Sequence, residues 1–291
     1  MVTTNNAVLP KSKAIEHAVT IARDFDSLSI GEHRLLSLLV ESCPSVSSED
    51  GTEFIYVTDF RNFVANFTKA IKEKDFSYLS QRRGLRVKRV VDVMEFCEST
   101  DYLGQKGHIW KSTKNKLVDF FSNSNYIEAL ATGGIGVGKS YFAEMCLSYL
   151  LYCLACYHNP QLEYDLAPGS SICFIMQSKN LTLAKKVLFD QMATRLKASP
   201  FFKKYFPYDV NVKSELRFPK QILVMPLGGT DTSALGMNVY GGIIDELNFM
   251  AKVENSVYVR DGGEYDQAER LYNTLIRRMK SRFLQNDGKL P

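Results

Sequence analysis

One octapeptide constrains this chain more than any other feature. Gly133-Gly134-Ile135-Gly136-Val137-Gly138-Lys139-Ser140 satisfies every fixed position of G-x-x-x-x-G-K-[ST]. Its glycines let the backbone fold into a loop whose N–H groups point inward at phosphates. A helix starting near Lys139 would add its positive N-terminal end. Lys139 is of the type that reaches the β- and γ-phosphates, and the Ser140 hydroxyl is of the type that ligates Mg²⁺. By average residue usage a chance match in a chain of this size is on the order of one in a hundred. The flanking pattern agrees. Tyr126 to Ala131 reads as a strand running into the loop, and a long apolar helix follows through Tyr157.

A second acidic motif completes the expected site. Val239 to Ile244 reads as a buried strand ending at Asp245-Glu246. Asp245 would hold hydrated Mg²⁺ from across the sheet, and Glu246 would polarise an attacking water. The adjacent pair points to hydrolysis rather than phosphoryl transfer to a small acceptor. The expected ligands are therefore ATP and Mg²⁺.

The surrounding pattern sets the fold. Ile172 to Met176 is a continuous apolar run, as for a strand covered on both faces. Leu181 to Leu196 reads as an amphipathic helix, Arg217 to Leu227 as strand pieces broken at Pro219, and Leu271 to Phe283 as a basic helix. Alternating strands and helices predict an α/β fold, a P-loop NTPase sheet that is largely parallel with helices on both faces. Residues 86–291 form this expected ATPase domain. Upstream, Lys13 to Phe25 and the stretch from Leu35 to about Cys43 read as helices, Phe54 to Val57 as a strand, and Thr58 as the cap of a third helix carrying Phe60, Phe63, Val64 and Phe67. Val90 to Phe96 and Ser112 to Phe121 read as further helices. Residues 1–85 are expected to be a small, mostly helical or winged-helix-like region.

Composition narrows the setting. With 291 residues, 45% hydrophobic and 23% charged, disorder and fibrous repeats are excluded. The net charge of +4 neither requires nor excludes nucleic acid, so local charge must decide. Six cysteines are too sparse for a disulfide scaffold and suit a reducing, cytoplasmic location. The run from Tyr141 to Tyr157 contains Glu144 and is shorter than the ~20 residues that span a bilayer, so no membrane association is expected. Cys153 and Cys156 lie inside that helix and read as core. The four histidines are scattered and read as without function. Gln81 to Arg89 holds five basic residues and either tracks a DNA backbone or forms a solvated linker. Trp110 and Tyr102 could stack on a base or anchor a core.

Tyr126 to Ser140, the block Leu235-Gly236-Met237-Asn238-Val239-Tyr240-Gly241-Gly242-Ile243-Ile244-Asp245-Glu246-Leu247-Asn248-Phe249, and the basic run Arg277 to Phe283 together resemble the ATPase domain of large terminase subunits of tailed bacteriophages. The resemblance covers about residues 90 to 291. It implies ATP hydrolysis driving packaging of double-stranded DNA, by a homo-oligomeric ring on a portal, served by a small terminase subunit, in the host cytoplasm. It implies Lys139 and Ser140 as the phosphate-loop pair, Asp245 as the metal carboxylate and Glu246 as the catalytic one. Three departures stand out. Ile135 and Leu235 occupy places where relatives carry arginine, so Arg217, Arg260, Arg277 and Arg278 are the candidates for the activating arginine. The chain also ends at Pro291, before the expected coupling strand and nuclease, as a fragment, a split-gene product or a reduced protein would. Ala14 to Ala65 resembles the first winged-helix unit of plasmid replication initiators, which leaves a DNA-binding initiator-like protein with a nucleotide site as an alternative. A helicase-type ATPase is the other.

Overall fold

The computed structural model describes residues 7–25, 28–43, 45–47, 52–57, 60–74, 85–122, 126–228, 236–253 and 265–283. Thr58, residues 81–84, Leu235 and Arg260, each named above, lie outside them. The chain divides into two compact units, Met1–Val90 with Cys153–Pro168, and Val91–Tyr152 with Gly169–Pro291. The return segment Cys153–Pro168 thus belongs with the N-terminal region rather than with the sequence around it.

The first unit begins with β1 (Ala7–Pro10), α1 (Lys11–Phe25), α2 (Ile30–Glu41), β2 (Val46–Ser47), β3 (Glu53–Val57), α3 (Phe60–Glu73) and β4 (Leu85–Arg86). Strands β1, β2 and β4 all pair antiparallel with β3. They are too short to show a period, which is why only β3 was legible from the pattern. Ala14, Ala18 and Ala22 form a fully buried stripe on α1, and Phe60, Phe63, Val64, Phe67 and Ile71 form the facing stripe of α3. Leu36 and Val40 of α2 complete this core. Helix α2 starts at a reciprocal cap: the Ser29 N–H donates to Glu32 Oε2 at 2.7 Å, and the Glu32 N–H donates to Ser29 Oγ at 3.4 Å. Within the basic run, Arg86 is buried. Its guanidinium lies 4.1 Å from the Tyr157 ring centroid and donates to the Tyr157 hydroxyl at 3.0 Å and the Cys153 carbonyl at 3.4 Å. The Val87 N–H donates to the Cys156 carbonyl at 2.8 Å. Arg86 is thus a packing residue, neither a linker charge nor an exposed phosphate contact.

Next in the chain come α4 (Val93–Glu98), α5 (Lys111–Ser122), α6 (Lys139–Ala155), α7 (Pro160–Glu163, in the first unit) and β5 (Ile172–Gln177). Helix α8 (Leu181–Leu183) continues through a π-helical stretch, Ala184–Phe189, into α9 (Asp190–Ala198). Then follow α10 (Pro200–Lys204), β6 (Leu216–Phe218), β7 (Ile222–Leu227), β8 (Val239–Ile244), a 3₁₀ turn at Leu247–Phe249, β9 (Lys252–Val253), β10 (Tyr265–Asp266) and α11 (Gln267–Phe283). Helix α4 begins three residues later than the apolar pattern suggests. Asp92 caps it, accepting from the N–H groups of Met94 and Glu95 at 2.8 and 2.9 Å.

The sheet of the second unit has the order β6-β7-β5-β8. Strand β5 runs parallel to both β7 and β8, and β6 forms an antiparallel hairpin with β7. The architecture is α/β, with a mostly parallel sheet flanked by helices. All six residues of β5 are buried, which explains its unbroken apolar run. The hairpin turns at Lys220 and Gln221, both at positive φ, just after Pro219. One expectation fails. Tyr126 to Ala131 forms no strand, and Leu130 is 82% exposed. Its residues suit a strand, but the segment is tied to α11 instead, where the Tyr272 hydroxyl donates to Glu128 Oε2 at 2.8 Å. Among the described residues no helix is long and apolar enough to cross a membrane.

Gly242 shows how tightly β8 is held. A Cβ there would come within 2.9 Å of the Ile175 carbonyl oxygen and 3.1 Å of Leu275 on α11. Gly242→Ala should therefore destabilise the second unit by about 1–3 kcal/mol, the usual range for overpacking, measured by urea unfolding. In the first unit, the Ser29 N–H holds the Glu32 carboxyl below its ordinary 4.5. The stability this gives is complete above that ordinary value and is lost as pH falls through the lowered one. Ser29→Ala should cost about 1 kcal/mol at neutral pH. An acid titration of unfolding should show a shallower acid limb in Glu32→Gln than in the wild type.

Candidate functional site

The phosphate loop takes the conformation its glycines permit. Gly133, Gly136 and Gly138 have φ of +142°, +82° and +80°, values that L side chains rarely adopt. Helix α6 begins at Lys139, so its first N–H groups face the loop. The Lys139 ammonium folds back over the loop and donates to the carbonyls of Gly133 and Gly134 at 2.9 and 2.8 Å. Ile135 and Val137, at the non-glycine positions, face solvent, with Ile135 fully exposed.

The acidic motif meets this loop. The Ser140 hydroxyl donates to Asp245 Oδ2 at 3.3 Å across 105 positions of sequence. Asp245 is held from two sides. Its N–H donates to the Gln177 carbonyl at the end of β5 at 2.8 Å, and its Oδ1 accepts the Glu246 N–H at 3.0 Å. Gln177 is a part of the site that the sequence reading missed. Its side chain is buried and donates to the Gly228 carbonyl at 2.9 Å, which ties the C-terminal ends of β5 and β7 together. A lone polar residue closing the apolar run Ile172 to Met176 was the available signal.

Glu246 follows in a left-handed conformation, φ 57° and ψ 38°, and is exposed. That turn ends the strand abruptly and leaves the carboxylate facing solvent beside Asp245. A non-glycine residue held there costs on the order of 1–2 kcal/mol. Below the loop, α6 carries the buried Glu144, paired with Arg195 of α9. Arg195 also lies 4.9 Å from the Tyr141 ring centroid. The residues present suit a hard divalent cation: a hydroxyl and a carboxylate oxygen face one another. Among the described residues there is no cluster of three or more His, Cys, Asp or Glu side chains to form an all-protein cage. A cation such as Mg²⁺ would take one or two protein oxygens here and share the rest with phosphates and water.

The remaining expected residues are placed as follows. Tyr102 is a core anchor, packed on Phe96, Tyr152 and Phe201 at 5.2–5.9 Å between centroids. Arg217 is engaged by Glu215. Arg277 is exposed on α11 and Arg278 half-buried. No disulfide joins any of the six cysteines. Burial pushes the Cys97 thiol up to about 12 and the Cys173 thiol to about 11, so both stay protonated at neutral pH.

A glycine loop at a helix N-terminus, its lysine, and a strand-end carboxylate bonded to its serine define a P-loop domain, a nucleotide-binding class. Residues 57–290 match the model of the family described as "Uncharacterized protein MJ0330, N-terminal P-loop domain", and the chain belongs to that family. No curated protein and no solved structure matches it.

The strain at position 246 can be tested alone. Glu246→Gly should leave thermal stability unchanged or slightly raised, because glycine adopts this backbone freely. Glu246→Val should lower it by about 1–2 kcal/mol, since a β-branched residue suits positive φ worst. Differential scanning calorimetry of the two variants checks both.

Proposed function

We propose that this chain is a Mg²⁺-dependent ATPase whose hydrolysis drives translocation of double-stranded DNA, as in the large terminase subunits its sequence resembles. The Ser140–Asp245 hydrogen bond carries the hydrolytic part of the reading, because it unites the two halves of the site. In this reading the loop N–H groups take the phosphate oxygens. Lys139 exchanges the Gly133 and Gly134 carbonyls for the β- and γ-phosphates. Ser140 and Asp245 hold Mg²⁺, which when bound neutralises charge on the phosphate oxygens. Glu246 orients water and accepts its proton. The Asp245 link to Gln177 fixes that pair to the centre of the sheet.

The packaging part rests on the block Leu235 to Phe249 and the basic run Arg277 to Phe283. Local charge adds support. Residues 179–220 contain ten Lys and Arg against three Asp and Glu, an excess of seven in a chain whose total is four. Such a segment suits contact with a phosphate backbone. A ring on a portal, with a small terminase subunit as partner and a host cytoplasm as location, follows from the same resemblance. The activating arginine comes from Arg277, Arg278 or the neighbouring copy in this scheme.

ATP turnover by the full chain, with and without linear duplex DNA, tests the proposal. Lys139→Ala should abolish turnover and weaken ATP binding. Glu246→Gln should keep ATP binding while turnover falls about 100-fold or more. DNA should stimulate the wild type, and the stimulation should fade steeply with salt. Turnover that ignores DNA would remove the motor assignment, and unchanged turnover in Glu246→Gln would remove the catalytic one.

A further inference from the structure

Beside the phosphate loop lies a cavity of about 720 Å³, within the range of small-molecule sites. Its wall includes four aromatic residues, Trp110, Phe120, Tyr126 and Phe142, and it runs continuously onto Gly133 and Lys139 of the loop. Two of the rings are unusually open for their type: Trp110 is 60% exposed and Tyr126 47%. Large aromatic side chains normally bury most of their surface, and an exposed cluster beside a polar site marks a place for a ligand. The rings are also ordered. Phe120 and Tyr126 are nearly parallel, 11° apart with centroids separated by 6.4 Å, and Phe142 stands edge-on to Phe120. A flat ring laid on the Tyr126 face therefore lies parallel to Phe120 as well.

We infer that this aromatic cavity holds the purine base of the nucleotide whose phosphates the loop takes. The inference rests on the phosphate-loop reading and adds what that reading leaves open, the place where the base is held. The phosphate loop recognises phosphates through backbone groups and one ammonium, none of which touches a base. Every base has a π-face, but the bicyclic purines offer the larger one to an aromatic wall. The volume accommodates a purine with its ribose, and the contact with Gly133 and Lys139 places the phosphate end where the loop begins. Helix α5 and the segment 126–132, not the phosphate loop, are then the specificity-determining parts of the site.

The chain contains a single tryptophan, so its intrinsic fluorescence reports this cavity directly. The full chain is titrated in Mg²⁺ with ATP, GTP, UTP and inorganic tripolyphosphate, with affinities measured in parallel by calorimetry. ATP, GTP or both should change Trp110 emission saturably, and the tighter of the two names the base. Tripolyphosphate should bind more weakly and leave emission unchanged. Tyr126→Ala should weaken purine nucleotides about tenfold or more without altering tripolyphosphate affinity, and Tyr126→Phe should restore them. Tyr126 is half exposed, so the exchange does not open a core. The inference is overturned if UTP and tripolyphosphate bind as tightly as the purine nucleotides, or if Tyr126→Ala leaves purine affinity intact. Failure of tripolyphosphate to bind the wild type would instead sink the phosphate-loop reading, and the inference with it.

Discussion

A single polar contact between two distant loops organises the site. The Ser140 hydroxyl and the Asp245 carboxylate come from the start of a helix and the end of a strand, and neither could be placed by its own segment. Asp245 is fixed because β8 lies in register beside β5 and the Gln177 carbonyl takes its N–H. Ser140 is fixed because three positive-φ glycines return the chain sharply into α6. The buried sheet thus acts as the reference frame for chemistry at its C-terminal edge, where ligands of open α/β sheets gather.

The supporting structure is built to keep that frame still. Gly241 and Gly242 leave no side chain on part of β8, so Phe174 and Leu275 close directly on its backbone. Arg195 reaches α6 with both its charge and its π-facing surface, joining Glu144 and Tyr141. An ion pair removed from water stabilises little in net terms, but losing one partner strands the other charge, at about 3–5 kcal/mol. Such a pair specifies the position of the helix more than it adds to its stability.

Much of this was readable from the sequence, for physical reasons that can be named. The phosphate loop was legible because each position has a backbone or charge requirement of its own. Strands β5 and β8 and helix α6 were legible as apolar runs too long and too regular to be loops. The acidic pair was found because it closes such a run. What escaped was relational. Tyr126 to Ala131 carries strand-type residues, but a strand exists only if a neighbouring edge accepts it, and periodicity says nothing about the neighbour. Gln177 looked like the polar end of a strand, and only the register of β8 shows that its carbonyl holds Asp245. Arg86 read as one charge in a basic run, although its guanidinium is buried against Tyr157, 71 positions later. The return of Cys153–Pro168 to the first unit has no local signature either, because it comprises only the end of α6, a loop and the single turn of α7.

The order of the sheet also has a consequence for the growing chain. Strand β5 is apolar along its whole length, yet both its partners come later, β7 ending 50 residues and β8 67 residues beyond Gln177. At ribosomal speeds of roughly 5–20 residues per second, a nascent β5 waits about 3–13 seconds before its second edge can be made. During that interval its backbone donors and acceptors are open to any passing strand. This hexapeptide is therefore the stretch of the sheet that gains most from being shielded until the later strands emerge.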